Sequence, residues 1–521
     1  MQKKIPVAAV IDIGSNEIRL HIAQGVKPDE KESKTINYLE ILSYPLSLGR
    51  DTFHAGKLSF DKVDKACEVI KNFLHVAKGY GVRNVRTVAG SAMREAENAE
   101  YILDQIKIKT GVSVHVMDDL EEKRHIYKLL AHYAEEYIKK SAVIVYIGTG
   151  GIGVSLFVDG KMPRTWNIRV GTLRMSELFG DLQEFTRDFY LLMEEYLACF
   201  TGDLKNDLPE GIKHFIVSGP EIELIAKLVK PDELPHFNIP LFEIPREDFD
   251  GLYEKIKRKS TDKISEDFNL DTDKAESLLP AACIYQNLME STHANVITAS
   301  RMLPCDAILF EMLFEKKFAI VNKRFDKGTI LSAKELLLRH GVNIAHSELV
   351  RDFALTIFDK VKKLHGLPAR DKLLLGTAAL LHDIGECVNS FEHNKISYGI
   401  VRSSDIVGLT KDEIELVALL CRYHSGMYVP RVNEPVFQKL DKETKVRVSK
   451  LSAMLRLADS LDRSHSQKCT NIEARLSDMT LTITLSADSN FALEKWSFAE
   501  KSLFFEEVFG IKAELKIKKF A

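Results

Sequence analysis

Two short runs constrain what this chain can fold into more than any other feature. Ala8 to Ala23 reads AAVIDIGSNEIRLHIA, and Ser141 to Phe157 reads SAVIVYIGTGGIGVSLF. Each is an apolar run, a glycine turn and a second, alternating apolar run, which predicts strand, tight turn, strand. Gly14 in the first turn, and Gly148, Gly150 and Gly151 in the second, relax the backbone so that successive amides can point at an anion. Asp12 emerges at a strand end, where a carboxylate can hold hydrated Mg²⁺. Ser15 and Asn16 add neutral donors. An ordinary hairpin explains either run alone. Two of them about 130 residues apart predict duplicated α/β halves facing across a cleft.

Further candidates follow each run. Lys57 to Gly79 has helical spacing, and Asn84 to Ala89 reads as a short strand. That strand ends in Gly90-Ser91 and opens a helix carrying Arg94, a candidate anion site at a helix N-terminus with a fork of donors nearby. A capped surface helix with a solvated arginine accounts for the same residues. Val112 to Val116 is another strand, followed by DDLEEKR at a helix start. Carboxylates in a first turn suit the helix dipole; alternatively, one of them orients a water as general base. Phe215 to Pro220 is a strand ending in a turn that contains Ser218, and 274–288 and 308–314 read as helices.

The charged, weakly periodic stretch 316–327 predicts a domain boundary. Beyond it helices dominate to about residue 465. Then 471–485 alternates like a strand, Phe504 to Gly510 sits on a short helix and 513–517 is a last strand. The helical region carries its own constellation: His346, adjacent His382 and Asp383, His393, His424 and Asp459. A lone His-Asp pair is usually a cap or an ion pair. Five pieces in apolar helical context form a set that can ligate one or two divalent metals such as Mn, Fe, Zn or Ni.

With 521 residues the chain needs several cores. Its 72 basic and 75 acidic residues leave a formal charge of −3, which gives no global footprint for DNA or an anionic membrane. Seven scattered cysteines without a CxxC pair predict reduced thiols in a cytoplasmic protein. Met-Gln-Lys-Lys leads into a strand and not into a signal-peptide apolar region. No run reaches the roughly 18 apolar residues of a membrane span.

Taken together, AAVIDIGSNEIRL, SAMREAEN, LEEKRHIY, and LLHDIG with RLADSLDRSH resemble the exopolyphosphatase / guanosine pentaphosphate phosphohydrolase (Ppx/GppA) family, in its long form with a C-terminal helical HD-type domain. The resemblance covers essentially the whole chain. It implies two actin-like, ribonuclease H-like α/β lobes over 1–130 and 131–310, an all-α HD-type domain over 325–466 and a small α+β unit over 467–521. It implies hydrolysis of terminal phosphoanhydride bonds in the interlobe cleft with Mg²⁺, on polyphosphate or guanosine pentaphosphate. By the same resemblance Asp12, Gly14, Ser15 and Asn16 form the first phosphate loop, Arg94 contacts phosphate and Glu121 activates water. Ser91, Gly148, Gly150, Gly151 and Ser218 complete the phosphate contacts.

The chain departs from the family at defined positions. The second loop resembles DIGGGSTE, but Tyr146 stands where the metal-binding Asp belongs and Gly153 where the Glu belongs. Pro304-Cys305-Asp306-Ala307 replaces LREG, and Ile396 replaces a histidine expected shortly after His393. Three functions compete on these residues: hydrolysis through Glu121, metal-dependent phosphoester hydrolysis at the HD-type site, and a sensor that binds nucleotide or polyphosphate without catalysis. The sequence leaves the oligomeric state open, a homodimer included.

Overall fold

The computed structural model describes residues 5–25, 36–148, 150–179, 188–230, 240–342, 344–425, 429–469, 472–486 and 490–518. The chain divides into two compact units, Met1–Phe325 and Asp326–Ala521.

In the first unit, the opening run forms the antiparallel pair β1 (Val7–Ile13) and β2 (Glu17–Gln24). The turn is tight: the Gly14 amide donates to the Glu17 carbonyl at 3.0 Å. β3 (Asn37–Pro45) adds antiparallel to β2. None of its residues is fully buried, although Leu39, Leu42 and Tyr44 pack against the core. β4 (Val85–Ala89) and β5 (His115–Val116) add in parallel on the other side, giving the order β3-β2-β1-β4-β5. Helix α1 (Phe60–Gly79) buries Val63, Ala66, Ile70 and Phe73, spaced three and four apart, in a core with Ile11, Ile13 and Leu20. Two more helices begin at strand ends, α2 (Ser91–Glu95) after β4 and α3 (Asp119–Tyr133) after β5.

The second glycine run builds β6 (Ser141–Ile147) and β7 (Ile152–Val158), extended by β8 (Lys161–Ile168). β9 (His214–Ser218) and β11 (Val296–Ser300) continue the sheet in parallel, and β10 (Phe242–Pro245) closes its edge antiparallel. The order β8-β7-β6-β9-β11 repeats that of the first sheet, which is the actin-like arrangement. A separate core of Val143, Val145, Phe215, Leu278 and their neighbours fills this half. Helix α4 (Pro304–Leu313) packs on β1 and α3. The chain therefore returns to the first sheet before residue 310.

The division between the two units, at Phe325/Asp326, falls inside the stretch 316–327. That stretch lies within the 25-residue helix α5 (Glu315–Arg339). Phe318, Val321 and Phe325 are buried at helical spacing, a stripe too narrow to stand out among the charges.

In the second unit, α6 (Ile344–Lys360), α7 (Ala369–Leu381), α8 (His393–Arg402), α9 (Lys411–Tyr423) and α10 (Lys442–Ser460) pack as a helical cluster. The tail adds a three-stranded sheet, β12 (Ile472–Ser477), β13 (Thr480–Ser486) and β14 (Lys512–Lys518). The single strand predicted over 471–485 is a hairpin, turned at Asp478 with a φ of 45°; Asn471 lies outside the described residues. The short helix at 504–510 is the end of the 18-residue α11 (Ala492–Phe509), which packs on α10. Among the described residues no helix is long and apolar enough to cross a membrane.

Candidate functional site

Asp12 near the end of β1, Ser91 at the start of α2 and Tyr146 near the end of β6 meet around a cavity of about 80 Å³ in the first unit. Gly14, Ser15, Asn16, Arg19, Gly90, Glu122 and Pro220 also line it. The hydroxyls of Ser15 and Ser91 lie 3.1 Å apart. Strand ends and helix starts converge here because each β-to-α turn leaves the sheet on the same side. Five residues of the predicted phosphate set lie outside the wall: Arg94, taken up below, and four more. Ser218 is fully buried and donates its hydroxyl to the Met302 carbonyl. Gly148 and Gly151 are absent from the lining, and so is Gly150, although it comes up against the cavity residue Ser91: a Cβ placed there would lie 3.5 Å from Ser91 Cβ.

The glutamate pair divides differently from the expectation. Glu122 lines the cavity, whereas Glu121 does not. Glu121 lies 2.9 Å from His115 Nε2 and 3.8 Å from His125 Nε2. Partial burial would raise its carboxyl, but hydrogen bonds from His125 and His115 outweigh this and hold it down at about 2. A carboxylate that acidic is a poor proton acceptor near neutrality. Burial instead pushes Glu122 up to about 7, with Asp119 and Asp12 adding repulsion and Arg94 opposing. Arg94 is not in the wall either; it donates to the Met117 carbonyl at 2.6 Å and faces Glu122 at 3.4 Å. It fixes the carboxylate that faces the cavity.

Burial also pushes the Asp12 carboxyl up, against the pull of Arg19 and His21; Arg19 lies 4.0 Å away. Two carboxyls raised in one cavity mark negative charge short of compensation, and a single Mg²⁺ held by Asp12 fits that deficit. The second loop offers no carboxylate to match. Tyr146 and Gly153 are cross-strand partners in the β6/β7 register. Burial pushes the Tyr146 phenol well above its ordinary value, so it presents a neutral hydroxyl. At Gly153 a Cβ would lie 2.1 Å from Tyr127 Oη and 2.7 Å from Lys123 Cδ. Those two side chains of α3 fill the space that a side chain on the loop would need. Lys123, itself buried, pairs with Asp119 at 2.7 Å.

The second unit brings together His346, His382, Asp383, His393, His424 and Asp459, the constellation the sequence singled out in the helical region. His346 Nε2, His382 Nε2 and Asp383 Oδ2 lie 3.2–3.5 Å from one another. On the other carboxylate oxygen, Asp383 Oδ1 lies 3.5 Å from His393 Nε2 and 3.2 Å from His424 Nε2. Three candidate ligand sets thus share Asp383, the third formed with Glu386 and His465. Each imidazole is turned by its other nitrogen: Nδ1 of His382, His393 and His424 meets the carbonyl of Ala379, Ser390 and Cys421 at 2.6–2.8 Å, and Nδ1 of His346 meets Asp462 Oδ2 at 2.9 Å. Fixing Nδ1 and aiming Nε2 inward is the support that metal-ligating histidines receive.

Asp459 Oδ2 contacts Lys501 of α11, while its buried Oδ1 has no hydrogen-bond partner and lies 3.7 Å from both His346 and His382. An orphaned carboxylate oxygen amid inward imidazoles fits a divalent ion of the Mn, Fe, Ni or Zn type. Burial alone would lower the imidazoles. The surrounding carboxylates outweigh it at His346, raised to about 11, and at His382, raised to about 9; burial wins at His424, lowered to about 4. The sequence reading missed Asp462, Lys501 and His465, whose ring stacks on His346 at 3.7 Å. Asp462 and His465 stand in the same RLADSLDRSH run as Asp459, three and six residues on, and that spacing was their signal.

Residues 29–313 match the model of the Ppx/GppA phosphatase family, and residues 330–507 match Ppx/GppA phosphatase, domain III. The chain belongs to the Ppx/GppA phosphatase family. A guanosine-5'-triphosphate,3'-diphosphate pyrophosphatase of Photobacterium profundum is 21% identical over 475 residues, covering 89% of this chain and 88% of that protein. Exopolyphosphatase 1 of Mycobacterium tuberculosis is 25% identical over 170 residues, 32% of this chain and 47% of that protein. Among solved structures, the Aquifex aeolicus family member has a TM-score of 0.50 at 21% identity, covering 60% of this chain and 99% of its own. An exopolyphosphatase from Cytophaga hutchinsonii has a TM-score of 0.50 at 17% identity, with 60% and 99% covered. These structural likenesses are of fold.

Proposed function

We propose that this Ppx/GppA chain is a phosphohydrolase that releases terminal phosphate from polyphosphate or a guanosine polyphosphate, working in the small cavity with Glu122, not Glu121, as the base. The observation that carries this is a buried carboxyl, raised to about 7, facing a cavity rimmed by Asp12, Ser15, Ser91 and Tyr146. Such a group is balanced to take a proton from water near neutral pH. The hydroxyls of Ser15, Ser91 and Tyr146 orient the terminal phosphoryl oxygens, and Arg19 lies beside the path of the leaving phosphate. Mg²⁺, when bound, supplies charge neutralisation at the leaving oxygen, with Asp12 as its protein ligand. Asp12 and Arg19 hold the phosphate end, Arg94 holds Glu122, and Glu122 accepts the proton of the attacking water. Relatives named as pyrophosphatase and as exopolyphosphatase support this reaction class. Phosphate release from both substrates, by the wild-type chain and Glu122→Gln with and without Mg²⁺, tests it; an undiminished rate in the variant overturns it.

A second reading applies to the second unit, which we infer to be an HD-type domain with a small α+β tail. Shared Asp383, four inward Nε2 atoms and the orphaned Asp459 Oδ1 favour a divalent metal centre able to hydrolyse a phosphoester. Elemental analysis after reconstitution with Mn, Fe, Zn or Ni, on wild type and His382→Ala, tests it.

A further inference from the structure

We propose that the first unit holds a Zn²⁺ site beside the small cavity but outside its wall, formed by His21 of β2 with Cys305 and Asp306 of α4. The donor atoms of the three side chains lie within 4.8 Å of one another. All three residues are buried, at 5%, 1% and 2% exposure. They come from distant parts of the sequence and stand on regular elements. His21 is in register with Val10 on one side and Ile41 on the other. Alternation along β2 puts it on the face of Arg19, away from the core residues Leu20 and Ile22. Cys305 and Asp306 follow Pro304, the first residue of α4, and that helix packs on both β1 and β2.

The contacts among the three leave a conflict that an ion resolves. His21 Nδ1 lies 2.6 Å from Asp306 Oδ1 and 3.7 Å from Cys305 Sγ. When Nδ1 carries a hydrogen for the carboxylate, it has no lone pair for the thiol hydrogen. When it accepts from the thiol, its lone pair faces those of the carboxylate. Around a tetrahedral Zn²⁺, with Zn–N and Zn–O near ~2.1 Å and Zn–S near ~2.3 Å, donor atoms sit roughly 3.4–3.6 Å apart. The sulfur and the ring nitrogen are already close to that spacing. The carboxylate has to withdraw by less than about 1 Å as the ion replaces the proton between it and the ring. Asp306 is also oriented from outside the trio: Tyr38 donates its hydroxyl to Oδ1 at 2.8 Å, and the Leu303 amide donates to Oδ2 at 2.8 Å. A thiolate with imidazole and carboxylate suits Zn²⁺ or Co²⁺ and not Mg²⁺ or Mn²⁺. The thiol gives up its proton to solvent on binding. His21, Tyr38 and Asp306 also wall a cavity of about 450 Å³, from which water takes the fourth position. The ion clasps β2 to the start of α4, where Leu303 and Pro304 form part of the wall of the small cavity.

Loading the full, metal-free chain with Co²⁺ tests this. A thiolate ligand gives cobalt a charge-transfer band in the near ultraviolet, which imidazole and carboxylate ligands do not give. The wild type is expected to show the band and His382→Ala, altered in the other unit, to keep it; Cys305→Ser is expected to lose it. Zn²⁺ is then titrated against a chromophoric chelator. Removing a group that merely supports a ligand costs about 10–100-fold in affinity, so removing a ligand, in Cys305→Ser or His21→Gln, is expected to weaken this site by about a hundredfold or more. Circular dichroism shows that each variant compared is folded. Absence of the band in the wild type overturns the proposal whatever the variants do. A band that persists in Cys305→Ser or disappears in His382→Ala overturns it too, as does Zn²⁺ affinity unchanged in both folded ligand variants. None of these readouts depends on phosphate release, so the site stands or falls separately from the hydrolase reading.

Discussion

At the scale of single residues, neighbouring glutamates differ in role because adjacent positions on a helix point about 100° apart. Glu122 shares a face with the buried Ile126 and Leu129, and that face turns toward the cavity. Glu121 shares its face with His125, 3.8 Å away, and hydrogen bonds from the histidines hold it ionised. Glu122→Gln is expected to lower kcat by ~10²–10⁴ while leaving KM within a few-fold, whereas Glu121→Gln changes kcat little. The proton sign gives a second check. The base must be ionised to act, so kcat/KM should rise with pH through about 7, and this limb should vanish in Glu122→Gln. Added Mg²⁺ favours the carboxylate and should move the limb to lower pH. The same raised value works against folding: stability from Glu122 is present below the unfolded carboxyl range and is lost as pH climbs through about 7. Gly153 is a steric requirement, since a methyl there would meet Tyr127 Oη at 2.1 Å. Gly153→Ala should therefore lower unfolding stability by about 1–3 kcal/mol, measured by denaturant titration, with Tyr127→Phe in the same chain recovering part of the loss.

At the scale of elements, what the sequence revealed tracks what each element buries. The two glycine hairpins were legible because both faces of β1 and β6 enter the cores, so their apolar runs are nearly continuous. β3, at a sheet edge with no fully buried residue, gave no such signal. α11 was legible only at its end, because its buried positions include Glu494, Ser497, Lys501 and Ser502, which read as solvent-facing in a bare sequence. One of these matters for chemistry. Lys501 engages one oxygen of Asp459 and leaves the other aimed at His346 and His382. Supporting groups of this kind typically alter metal affinity by about 10–100-fold when removed. Lys501→Met is thus expected to weaken Mn²⁺ binding by that order in equilibrium dialysis. An affinity unchanged from wild type would mean that Asp459 is not a ligand.

At the scale of the whole molecule, the resemblance carried the family and the duplicated order of strands, but not the local geometry that decides which residues face a ligand. Tyr146 and Gly153 looked like separate losses in the sequence. In space they are paired across two strands, and Lys123 and Tyr127 fill the space beside Gly153. A chain that merely decayed would have no reason to keep Glu122 raised, Arg94 fixed on it and four histidines turned inward in another unit. The two candidate centres are each assembled from residues of one unit only. Their chemistries should therefore separate. Glu122→Gln is expected to abolish terminal phosphate release while retaining the wild-type content of bound Mn or Fe. His382→Ala is expected to lose that metal while its phosphate release stays within about twofold of wild type. Bound metal stabilises the state that holds it by about 2.7 kcal/mol at a hundredfold excess over Kd. With Mg²⁺ kept in excess, a chelator selective for transition metals should accordingly lower the melting temperature of the Mn²⁺-loaded wild type and of Glu122→Gln, but not that of His382→Ala. Loss of phosphate release in His382→Ala, with Glu122→Gln fully active, would move the reaction to the second unit.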